Sequence, residues 1–173
     1  MFTPIVMASV VVAAPMSGHE VEQMFLTLEG EVDERVPEVS YSSNVKDYVR
    51  QPSFRAIVAL GPRAIPQVIK RMEQYLNDKK ILDAGKVPKK FDPCPWEQVF
   101  LEITKYRLNE DADYRDKVRR YYEKLGQPDL AKVVNPAGVS FIPEIAIPHL
   151  IHWWEKTGNK QFGVADPQPP ASE

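Results

Sequence analysis

The 173-residue chain carries 22 basic and 24 acidic residues, a formal charge of −2, with 43% hydrophobic and 27% charged residues. That length suits one domain with a buried core, and the near balance of charge gives no global pull toward nucleic acid or an anionic membrane surface. Cys94 is the single cysteine, which excludes an internal disulfide and any thiolate zinc cluster.

Residues 1–15 (MFTPIVMASVVVAAP) are apolar but too short to span a bilayer. A secretory signal would normally carry a basic residue before the apolar run, and none is present. Non-signal readings, including a true start at Met16, are therefore preferred and favour the cytoplasm. A signal over residues 1–14 would instead send the chain to the periplasm or outside. Residues 1–16 are read as an apolar leader.

Ser17-Gly18-His19-Glu20 is a capping-box pattern that opens a helix. Val21, Met24, Phe25, Leu28 and Val32 recur at helical spacing behind it. The remaining acidic positions, from Glu20 to Glu34, read as a solvated face. Residues 36–44, with a proline and a serine-rich run, read as a connection, and Tyr48 and Val49 as a short helix.

The organising stretch is SFRAIVALGPRAIPQVIKRM, residues 53–72. Phe54, Ile57 and Val58 share one helical face. Gly61 stands where a helix would end in a left-handed residue, and Pro62 and Pro66 suit the first turn of a second helix. Ile65, Val68, Ile69, Met72 and Leu76 then form an amphipathic stripe. The pattern predicts a helical hairpin.

Residues 77–95 read as a long connection rich in lysine: Lys79, Lys80, Lys86, Lys89 and Lys90. Long connections in a compact domain are commonly functional. A nucleic-acid patch here is weighed and disfavoured, because Asp78, Asp83 and Asp92 dilute the charge and Phe91 is the only aromatic nearby. Asp92-Pro93-Cys94-Pro95 signals a helix start. Trp96, Val99, Phe100 and Ile103, widened by Leu101 and Leu108, describe a helix buried on two sides. Asp111 or Asp113 can cap the next helix, carrying Tyr114, Val118, Tyr121, Tyr122 and Leu125 and closed by Gly126 and Pro128. A short helix with Leu130, Val133 and Val134 follows. The last helix holds Ile147, Leu150, Ile151 and Trp154, with Pro148 near its start and Gly158 at its end. Residues 163–173 cannot bury enough to order themselves.

The phrase A-L-G-P-R-A-I-P between two helices resembles HEAT-like repeats, and Ile57 and Val58 recur as Val99 and Phe100, 42 positions on, within the range of helical-pair repeats. The chain also resembles an uncharacterised bacterial family of small helical proteins. The resemblance rests on residues 52–72, on WEQVFLEIT from Trp96 and on HWWEKTGNKQF from His152. It departs from that family in its insertion over residues 113–140 and in Lys105, which stands where the family has glycine. The resemblance implies a fold and no catalytic residues.

Two candidate chemistries are weighed. His149 and His152 lie three apart on a helix, near enough to share a ligand, but zinc needs further ligands that the spacing does not select. Cys94 at a helix start would need a base within reach to act as a nucleophile. The expectation is no metal, no cofactor and no catalytic residue. The fold expected is all-α over residues 17–162, a bundle of about six helices in antiparallel, HEAT-like pairs. The function expected is a non-enzymatic interaction module with a protein partner. Trp153, off the apolar stripe, would anchor the partner, and Lys79, Lys80, Lys86, Lys89 and Lys90 would steer it. The alternatives are a small metal-dependent or Cys-His hydrolase, and a nucleic-acid binder through the lysine stretch.

Overall fold

The computed structural model describes residues 16–39, 51–86, 96–135 and 141–164, with α1 side chains as far as residue 31. Residues 1–15 of the apolar leader, Tyr48, Val49, Lys89, Lys90 and Cys94 therefore lie outside the described residues. Among the described residues the chain is all helical: α1 (Gly18–Val39), α2 (Pro52–Ala59), α3 (Ile65–Asp83), α4 (Trp96–Thr104), α5 (Ala112–Lys124), α6 (Pro128–Lys132) and α7 (Pro143–Trp153). No described helix is long and apolar enough to cross a membrane.

The ends of these helices follow local chemistry. At the start of α1, the Ser17 N–H donates to Glu20 Oε2 at 2.6 Å and the Glu20 N–H to Ser17 Oγ at 3.3 Å, the reciprocal box that the sequence predicts. Gly61, which follows the α2 C-cap Leu60, has φ +69°, a left-handed conformation that costs an L side chain about 1–2 kcal/mol. A 3₁₀ turn (Gly61–Ala64) then leads into α3, with Pro66 in its first turn. Asp111 caps α5 by accepting from the Tyr114 N–H at 2.9 Å.

One core joins the helices. Phe25 of α1, Phe54 of α2 and Trp96 of α4 pack together, their rings 5.5 Å (Phe25–Trp96) and 5.9 Å (Phe54–Trp96) apart. Ile57, Ile65, Val68, Met72, Val99, Phe100, Tyr114, Val118, Ile147 and Leu150 extend the same buried cluster. As expected, α4 is covered on two sides, by α2 and α3, but it ends at Thr104, and Leu108 lies in a following 3₁₀ turn (Leu108–Glu110) rather than on its stripe. The hairpin pairing is corrected: α2 packs most closely on α1, and α3 on α4. The chain continues through α3–α7 and α5–α7 contacts, which puts α5 and α7 side by side at the far end.

Four further expectations are corrected. The acidic face of α1 is not all solvated. Glu29 is buried and paired with the Arg71 guanidinium, and Glu22 accepts from Gln67 at 2.8 Å; together they bind α1 to α3. Second, α1 extends beyond Val36 to Val39. Third, α3 does not stop at Leu76. It runs to Asp83, so Lys79 and Lys80 sit on a helix rather than in a connection. Its extension is supported by Lys79, which pairs with Asp83 within the helix and with Glu144 of α7, both at 2.9 Å. Fourth, α7 begins at Pro143, leaving Pro148 inside it. Nor does the chain stop at Gly158: it widens into a single π turn (Trp154–Gly158), then resumes α geometry over Asn159–Gln161. Gly158 is required by close approach. A Cβ built there would lie 2.6 Å from Trp154 Cε3 and 2.9 Å from Trp153 Cζ3.

Candidate functional site

Where α5 meets α7, five polar side chains form one connected network. The turn after α4 is set by Lys105, whose φ of +54° makes it the one left-handed non-glycine among the described residues. It delivers Tyr106 toward α7. The N-terminus of α5 supplies Asp111, Asp113 and Lys117, and α7 supplies His149, which is 6% exposed.

The geometry dictates the proton positions. Lys117 Nζ lies 2.7 Å from Asp113 Oδ2 and 3.3 Å from His149 Nδ1. An ammonium only donates, so Nδ1 accepts and a neutral His149 carries its proton on Nε2. That Nε2–H faces the Tyr106 oxygen at 3.1 Å, and the Tyr106 hydroxyl donates to Asp111 Oδ2 at 2.5 Å. The chain Asp113–Lys117–His149–Tyr106–Asp111 is thereby satisfied end to end. Burial pushes the His149 pKa down, and Lys117 adds to this against the opposing pull of Asp111 and Asp113. Burial alone would raise the Asp111 carboxyl, but hydrogen bonds from Tyr106 and from the Tyr114 N–H outweigh it and hold it below the usual range. The Lys117 ammonium holds Asp113 down. Burial and the bond to Asp111 raise the Tyr106 phenol well above its ordinary value.

Asp111, Asp113 and His149 each offer a ligand atom, all within 4.8 Å of one another. The two imidazole nitrogens, however, face different carboxylates, Nε2 toward Asp111 Oδ1 at 3.5 Å and Nδ1 toward Asp113 Oδ2 at 3.4 Å. One ion can take only one of them. Lys117 already supplies a positive charge between Asp113 and Nδ1. Chemically, the set is a filled polar joint between helices.

Clefts open beside it and farther along α7. The first lies between α5 and α7, about 390 Å³, lined by Lys117, Arg120, Tyr121, Lys124, Glu144, Ile145, Pro148 and His149. The second, about 530 Å³, lies beside Tyr106 and Arg107. The third, about 540 Å³, lies between α3 and α7 and includes Lys80, His152 and Glu155.

The residues expected to bind a partner are scattered. Trp153 is half-buried, its ring stacked 4.3 Å from Tyr106 and edge-on to Phe100 at 6.1 Å; it is a packed residue rather than a free anchor. Lys79 is held by Asp83 and Glu144. Lys80 and Lys86 are exposed. His149 and His152 do not act together: His149 is buried in the network, whereas His152 is exposed in the α3–α7 cleft. Sequence reasoning missed the network and the α5–α7 cleft. The helix-start signal pointed at Asp111 or Asp113, and His149 was singled out for its spacing from His152, but nothing local links these residues to one another or to Tyr106.

Compared with family models, curated proteins and solved structures, the chain matches none, so its own geometry carries the functional reading.

Proposed function

We propose that the chain is a non-enzymatic interaction module, a stacked helical scaffold of HEAT-like kind that holds a protein partner on its open clefts. The supporting observation is the state of His149. It is buried, both ring nitrogens are engaged, and its pKa is depressed. A general base needs a nitrogen within reach of the proton it takes, and His149 has none to spare. The clefts, by contrast, are troughs lined by mixed apolar and charged side chains, the composition of a recognition surface. The resemblance to a bacterial family of small helical proteins, which implies a fold and no catalytic residues, is compatible with this reading.

The test has two arms. Crosslinking capture followed by reconstitution from purified components should yield a complex of fixed stoichiometry. A panel of ester, phosphoester and peptide substrates, with and without zinc or manganese, should show no turnover. Turnover abolished by His149→Gln would replace this reading with a hydrolase.

A further inference from the structure

We infer that the α5–α7 cleft is the docking surface, and that it takes an acidic helix of a protein partner. The inference rests on the interaction-module reading and names its surface and partner chemistry.

Lys117, Arg120 and Lys124 line the cleft from one helix at i, i+3 and i+7, so they share a face and recur about once per turn, spread over about 10 Å. The one carboxylate lining the cleft, Glu144, is already paired with Lys79 at 2.9 Å. Lys117 is held by Asp113 and His149. Arg120 and Lys124 are exposed and form no ion pair among the described residues. Two unspent cations thus stand in a trough whose α7 wall presents Ile145 and Pro148 between Glu144 and His149, both already engaged.

A partner that fits must present carboxylates at the rise of the cations and an apolar side chain to Ile145 and Pro148. A helix with Asp or Glu at i, i+3 or i+4, and i+7 meets both demands, since its own turn repeats every 5.4 Å and an amphipathic helix seated in a groove is read at those positions. A nucleic-acid backbone fits less well, because its sugar-phosphate chain offers no apolar side chain to Ile145 and Pro148.

A phage-displayed random peptide library, selected on the full 173-residue chain, tests this. Enriched peptides should carry recurring Asp or Glu around a large apolar residue. A synthetic copy of the best peptide should lose at least about tenfold in affinity to the Arg120→Glu, Lys124→Glu double variant. Exchanging the peptide's acidic residues for lysine should restore part of the binding to that variant. The unchanged melting temperature of the variant, expected because both side chains are exposed, separates lost contact from lost fold. Peptides without acidic bias, or binding indifferent to the charge reversal, would overturn the cleft assignment while leaving the interaction-module reading standing. Binding of a labelled 20-nucleotide RNA, lost in the same variant, would overturn it in favour of a nucleic-acid site.

Discussion

Replacing Gly158 by alanine should destabilise the protein, against the usual sign of that change. In an ordinary helix, Gly→Ala gains about 1 kcal/mol, because alanine loses less backbone freedom on folding. Gly158 has helical dihedrals, φ −62° and ψ −48°, so no left-handed conformation stands in the way. Space does. The added carbon would meet Trp154 Cε3 at 2.6 Å and Trp153 Cζ3 at 2.9 Å, where carbon pairs prefer about 3.5–4.0 Å. Trp154 is 5% exposed and Trp153 is stacked on Tyr106, so neither ring is free to swing away. Overpacking of this kind costs about 1–3 kcal/mol, which leaves a net loss of about 1 kcal/mol after the helix gain. Gly30 is the internal control. It is helical and exposed, and a Cβ there would meet nothing within 4 Å; Gly30→Ala should gain about 1 kcal/mol. In thermal unfolding, at about 2–4 °C per kcal/mol for a chain of this size, the two variants should move in opposite directions. Native tryptophan fluorescence should change only in Gly158→Ala. If Gly158→Ala stabilises as much as Gly30→Ala, the packing around the π turn is not as described.

Lys105→Gly should raise the unfolding free energy, measured by urea titration, by up to about 1.6 kcal/mol. Relief of a left-handed residue is worth about 1–2 kcal/mol, and the added freedom of the unfolded chain returns about 0.4–1 of it; a fall would contradict the turn geometry. Trp153→Ala should cost about 2 kcal/mol in the same assay, half the usual toll for a large aromatic because the ring is half-buried; an unchanged midpoint would restore the free-anchor reading. Two groups should give stability opposite pH slopes. Burial pushes Glu97 up to about 7 from its ordinary 4.5, so the folded state holds a proton that the unfolded chain has released, and stability should fall between about pH 5 and 7. Glu97→Gln should remove that fall. His149, with its pKa lowered, contributes stability that is present above its ordinary 6.5 and lost as pH falls through the depressed folded value; His149→Gln should flatten that acid-side loss.

Legibility followed the range of the interaction. The box at Ser17 and Glu20, the left-handed Gly61 and the cap of α5 are each decided within four residues; the first two were readable, and the cap was narrowed to Asp111 or Asp113. The end of α3 was not. Beyond Leu76 the chain offers mostly charge, and what supports the helix is Lys79 meeting Asp83 and, 65 positions away, Glu144. The same holds for Glu29, which looks like one more solvated acid until Arg71 packs over it. Of the site, a capping role for Asp111 or Asp113 was visible, and the bond of Asp111 to Tyr106 was not. Trp153 was assigned to the surface from its place off the helical stripe, a rule that fails where the turn of Tyr106 folds back to cover it.

The π turn has a consequence for phase. It fits one more residue into a turn than an α-helix does, and each residue of an α-helix advances the side-chain direction by about 100°. Phe162, which follows the turn, stacks on Trp154 with centroids 6.0 Å apart. Deleting one residue together with the bulge would leave the later phase nearly unchanged, whereas tightening the turn to α geometry with every residue kept would swing everything after it by about that angle. Phe162 would then leave Trp154 and face elsewhere. The widened turn therefore works as a clutch plate between two rotational settings, and the close fit of Gly158 beneath the indoles is what holds it in this one.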